Sequence, residues 1–81
     1  MNESELKTIY QAITEAWKLI KKYSELKDDE EYWHRCILDL TEIESKSYAG
    51  EQFGVAAMNI LEHCYREKLE EGKHETSNQT N

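Results

Sequence analysis

The residue types best suited to chemistry are two histidine–cysteine neighbourhoods, His34 with Cys36 and His63 with Cys64. All four side chains are of the kind that binds zinc, and a helical hairpin would bring the two cysteines near one another. Helical direction opposes a shared site, because His34 lies about 200° around from Cys36 and His63 about 100° from Cys64. Neither spacing is the C-x-x-C of a structural zinc site. The sequence is therefore read as holding two inert core thiols and no metal. Glu31-Tyr32-Trp33-His34 also contains the Glu-x-x-His spacing of carboxylate-bridged two-metal bundles. Such a centre needs a second copy of the motif and further inward carboxylates, and the apolar seam supplies none. A calcium loop is excluded in the same way, since the acids at Asp28 to Glu31 lack the glycine-containing twelve-residue frame.

Nucleophilic catalysis by either cysteine requires exposure and an activating histidine, and seam positions deny the first. No phosphate loop, dinucleotide fingerprint or His-Glu-x-x-His occurs in the chain. The expectation is a protein that is not an enzyme and carries no cofactor.

Charge limits the partners. Seventeen acidic residues against ten lysines and arginines give a net charge of −7, which repels a nucleic-acid backbone unless the cations cluster. The densest positive run, Lys18 to Lys27, is interleaved with Glu25 and preceded by Glu15. A helix-turn-helix reading around Tyr48 to Gln52 places Glu51, Gln52 and Phe53 where groove-reading cations belong. Direct nucleic-acid binding is not expected. Asp28, Asp29, Glu30, Glu31, Asp39, Glu42 and Glu44 form an acidic surface that either solubilises a small domain or imitates phosphate in a basic groove of a DNA- or RNA-handling protein.

The elements that would position these residues are helical, as the chain has no proline and three glycines. Asn2 and Glu5 form a capping box, from which a first helix carries Leu6, Ile9, Tyr10, Ile13, Ala16, Trp17, Ile20 and Tyr23 at helical period. Trp17 reads most simply as a core anchor. Asp28 and Glu31 form a second capping box, and the second helix turns Trp33, Cys36, Ile37, Leu40 and Ile43 inward. Ser45 to Gly50 contains the break, with a single helix bent at Gly50 as the competing model. Trp33, Cys36, Leu40, Ile43 and Ser47 then mirror Phe53, Ala57, Ile60, Cys64 and Lys68 across that break. Gly54 inside the third helix costs about 1 kcal/mol relative to alanine, which invites a close-packing explanation. Gly72 is a natural stop.

The sequence thus predicts an all-α, antiparallel three-helix bundle over 3–27, 29–46 and 51–70. Residues 1–71 form one domain, followed by a flexible polar tail over 72–81. A core this small supplies roughly 3 to 5 kcal/mol, so a partner subunit is a reasonable expectation. The functional expectation is a noncatalytic protein–protein interaction module or accessory subunit, self-associating as a homodimer. Its candidate surface joins Tyr10, Trp17, Tyr32, Trp33 and Tyr65 to the small residues Gly50 and Gly54. The polar, acidic start and the absence of a long apolar run predict a cytoplasmic protein without membrane contact. The composition suits an accessory protein of a phage or other mobile element.

Overall fold

The computed structural model describes residues 1–80, and side chains through Glu71. Three helices follow one another, α1 (Glu3–Lys22), α2 (Glu30–Lys46) and α3 (Tyr48–Thr80), with no strand among the described residues. Side-chain pairs fix their directions. Lys22 meets Asp39 and Lys46 meets Glu15, so α1 and α2 are antiparallel. Trp33 meets Tyr65 and Cys36 meets Met58, so α2 and α3 are antiparallel as well.

α1 begins where the sequence places it, with the Asn2 carboxamide oxygen accepting the Glu5 N–H at 2.8 Å. It ends at Lys22 and not near Lys27, because the chain turns at once toward α2. Leu26 holds φ 52°, a left-handed conformation that a branched side chain adopts only when its surroundings impose it. Those surroundings are visible: the Leu26 side chain packs against the core, and its N–H donates to the Tyr32 hydroxyl at 3.2 Å. From α3, the Lys68 ammonium donates to the Glu25 and Leu26 carbonyls, and the Tyr65 hydroxyl donates to Asp28 at 2.7 Å. With Asp28 engaged by Tyr65, the cap of α2 falls to Asp29, whose carboxylate accepts the Glu31 N–H at 3.0 Å.

The second break is sharper than the sequence suggests. Ser47 alone is extended, at φ −166° and ψ 165°. Its hydroxyl accepts the Gly50 N–H at 2.9 Å and its carbonyl the Glu51 N–H, so it acts as the cap of α3. Gly50 is therefore not the break but lies inside the first turn of α3. A Cβ there would sit on the Ile43 carbonyl oxygen, far inside contact distance. At the other end the α3 backbone continues through Gly72, so the expected stop is absent. The tail expected over 72–81 involves side chains outside those described, and Asn81 lies outside altogether.

The core is thin and built from small residues. Ala12, Ala16 and Leu19 of α1, Tyr23 just past its end, Cys36 and Ile43 of α2, and Ala57 and Leu61 of α3 are its buried apolar members. On α3 the buried line is Gly50, Gly54, Ala57 and Leu61. The expected seam of Phe53, Ala57, Ile60 and Cys64 is thus rotated, leaving Ile60 half exposed and Cys64 only partly covered. The reason is steric, since the two glycines allow α3 to approach α2 more closely than an isoleucine-lined face permits.

Candidate functional site

The residues singled out by sequence separate into three places. Tyr32, Trp33 and Tyr65 come together with Tyr23 in a row of edge-to-face rings, with successive centroids 5.1, 5.2 and 5.2 Å apart. All four rings are buried or partly buried, so the row binds the three helices to one another at this end of the bundle. Gly50 and Gly54 are buried in the α2–α3 contact and offer no outer surface. Tyr10 and Trp17 stand apart on α1, 73% and 58% exposed. Trp17 is accordingly not a core anchor, because the inward positions of its helix are taken by Ala12, Ala16 and Leu19.

Tyr10 and Trp17 do not stand alone. Leu6 and Ile13 share their side of α1 and are 52% and 46% exposed. At 3.6 residues per turn these four fall within about 60° of arc, and the stripe is centred roughly 120° from the buried face. The apolar arc of α1 is thus about twice as wide as the chain itself covers. On α3, Ile60, half exposed, lies on the edge away from α2, since Gly54, Met58 and Tyr65 on the opposite edge face Leu40, Cys36 and Trp33. Leu6, Ile13 and Ile60 were missing from the sequence-level surface. The signal that could have found them is the breadth of the α1 stripe, which exceeds what two flanking helices can bury.

The acidic residues are scattered in role. Asp28 accepts from Tyr65, Asp29 caps α2, and Glu31 pairs with Arg35 at 2.7 Å. Asp39 faces α1, where it accepts from Lys22 at 2.8 Å and from the Tyr23 hydroxyl at 2.5 Å. Glu44 approaches Gly54 of α3, while Glu30 and Glu42 point to solvent. The hydrogen bonds from Lys22 and Tyr23 hold the Asp39 carboxyl below its ordinary pKa. Burial, reinforced by the bond to Asp39, pushes the Tyr23 phenol above its own.

These two shifts set a pH dependence. Because Asp39 is more acidic in the fold, its contribution is fully present above the unfolded value of about 4 and is lost as pH falls through the folded value. Because Tyr23 is less acidic in the fold, stability declines as pH rises beyond about 10, where the unfolded chain releases that proton first. Asp39→Asn is expected to be less stable than the parent at pH 7, with the difference shrinking below about pH 4. The effect is modest, since the Asp39 side chain is 35% exposed. Urea titrations of both proteins at pH 7 and pH 3 check it, and an unchanged gap between them contradicts the assignment.

The two thiols occupy unlike surroundings. Cys36 is fully buried with its Sγ 3.8 Å from Met58 Sδ, and burial pushes its pKa up to about 11. Cys64 is not its cross-seam neighbour and is partly exposed. His34 is exposed, and His63 is turned outward toward Glu67 at 3.1 Å. Among the described residues no three His, Cys, Asp or Glu side chains converge on a point. Native alkylation read by intact mass is expected to add one label, at Cys64, with the second appearing only on unfolding.

No helix among the described residues is long and apolar enough to cross a membrane. An open groove of about 370 Å³ between α2 and α3 is lined by Trp33, Met58, Glu62, Tyr65 and Arg66. Comparison with protein-family models, with curated proteins and with solved structures returned no match. What the chain is follows from its own architecture, a small all-helical domain.

Proposed function

We propose that this chain is a noncatalytic protein-association module whose binding face is the outer side of α1 with the adjoining edge of α3. One observation carries the reading: four large apolar side chains at helical spacing, Leu6, Tyr10, Ile13 and Trp17, are each about half exposed or more. A contiguous apolar stripe of this kind marks an interaction site, and tyrosine and tryptophan are the side chains that most often dominate binding energy. The thin core supports the same reading, because a domain this small gains stability when a partner covers what it leaves open. Nothing in the surroundings of Cys36 or Tyr23 favours catalysis, since both groups hold their protons at neutral pH. Two free thiols suit a reducing, cytoplasmic setting. The acidic mimicry reading draws no support from carboxylates that are divided among caps, ion pairs and a tyrosine bond.

Site-specific photo-crosslinking tests the face directly. A benzophenone side chain at Tyr10 is expected to give discrete protein adducts, to itself or to another chain, in lysate of the source cells. The same group at Arg35, on the outer side of α2, is expected to give none. Equal yields at both positions, or none at either, would overturn the proposal.

A further inference from the structure

We infer that the occupant of this face is a second copy of the chain, with the two α1 helices packed antiparallel about a two-fold axis that passes between Tyr10 and Ile13. The inference rests on the association reading above and goes beyond it by naming the partner and its orientation. The spacing of the stripe is the first argument. Leu6, Tyr10, Ile13 and Trp17 are separated by four, three and four residues, a pattern that reads the same in both directions. An isologous interface requires a surface that is complementary to itself under reversal. Reversal about the midpoint sets Trp17 level with Leu6 of the second copy and Tyr10 level with Ile13, so each large ring stands at the height of an aliphatic side chain.

Charge gives the second argument. α1 is acidic in its first turn and basic in its last. Glu3 and Lys21 lie on the same flank of the stripe, each about 50° from its centre, and both are exposed. In an antiparallel pair same-flank residues at opposite ends meet across the axis, so Glu3 of each copy approaches Lys21 of the other. Lys21 already stands 6.0 Å from the Trp17 ring, at the rim of the patch. A parallel pair would instead keep Glu3 and Lys21 at opposite ends of the seam, so that neither carboxylate comes near an ammonium of the other copy.

Area gives the third. Taking about 150 to 250 Å² for a whole aromatic side chain and somewhat less for an aliphatic one, Leu6, Tyr10, Ile13, Trp17 and Ile60 expose roughly 550 Å² per chain. Two copies that cover these side chains fully bury about 1,100 Å², which clears the ~1,000 Å² that a specific interface needs and falls among the weak, transient ones. The expected association is correspondingly reversible, with a dissociation constant on the order of micromolar.

The experiment is sedimentation of the full chain from about 1 to 200 µM, with circular dichroism confirming the fold of each variant. The parent is expected to shift from 9.6 kDa toward twice that mass as concentration rises. Trp17→Glu, which places a carboxylate inside each half of the seam, is expected to weaken pairing at least 100-fold while keeping the helical signal. Glu3→Lys and Lys21→Glu are each expected to weaken it several-fold, and the double variant to restore it. A parent that stays at 9.6 kDa throughout overturns self-pairing. If the Tyr10 crosslinker then still captures another protein, the association reading stands without it, and if it captures nothing, both fall. A dimer whose double variant stays weak overturns the antiparallel arrangement.

Discussion

Leu61→Ala is expected to leave a large share of the chain unfolded at 25 °C in dilute solution. Leu61 is among the few sizeable aliphatic side chains that the fold buries, beside Leu19 and Ile43. Truncating a buried leucine removes its transfer energy and opens a cavity, at a cost of about 2 to 5 kcal/mol. Relaxation will not recover much of that here. The members of its cluster include Ala16 and Ala57, which have no reach, and Tyr23, which the bond to Asp39 holds in place. A domain of this size holds roughly 3 to 5 kcal/mol in total, so one truncation consumes most of it. Thermal and urea unfolding followed by circular dichroism should show a midpoint far below that of the parent. Raising the protein concentration should recover part of the loss if self-pairing holds, because association stabilises the folded state by mass action. A loss below about 1 kcal/mol would mean that the core is not centred on Leu61.

The helices were legible because their signals are local. Asn2 needs only Glu5 to cap α1, and the 3.6-residue period of Leu6 through Tyr23 needs no tertiary information. Long-range contacts decided the rest. Nothing near Leu26 announces a left-handed residue, since that conformation is imposed by its burial, by the Tyr32 hydroxyl, and by Lys68 more than forty positions away. The Glu31 spacing favours Asp28 as the cap of α2, and Tyr65 moves that role to Asp29 by engaging Asp28. The facing of α3 departs by a fraction of a turn from the one that the apolarity of Ile60 and Cys64 predicts. The fold selects for smallness, and the absence of a Cβ at Gly50 and Gly54 sets which line faces α2. Trp17 was misplaced for a related reason. A tryptophan is expected inside on size alone, but two alanines on the adjacent face let α1 approach closely enough that the ring remains outside. What the three helices leave uncovered is most of an α1 stripe together with Ile60.

The two buried glycines differ in what limits them, and alanine substitution should separate them. At Gly54 an added Cβ would meet Leu40 Cδ1 at 3.0 Å and Glu44 Cγ at 3.2 Å, both on side chains that can rotate away. Alanine is also the better helix former by about 1 kcal/mol, so the two effects nearly cancel and Gly54→Ala is expected to lie within about 1 kcal/mol of the parent. At Gly50 the obstacle is the Ile43 carbonyl, part of the α2 backbone, with the Ser47 hydroxyl 3.2 Å from the added carbon. Neither can yield cheaply. Moving the carbonyl disturbs the last turn of α2, and moving Ser47 breaks the cap that its hydroxyl and carbonyl together give to α3. A single extended residue joins the two helices, so no loop is present to absorb the shift. Gly50→Ala is therefore expected to destabilise by about 1 to 3 kcal/mol net of its helix propensity, through opening of the α2–α3 corner. The damage should be local before it is global, with faster amide exchange in the first turn of α3 and the last turn of α2 and little change in the Tyr23 to Tyr65 aromatic row at the far end. Urea unfolding of the two variants side by side, with hydrogen exchange on Gly50→Ala, makes the comparison. Equal losses at the two glycines would show that the Ile43 carbonyl is free to move and that Ser47 alone fixes the corner.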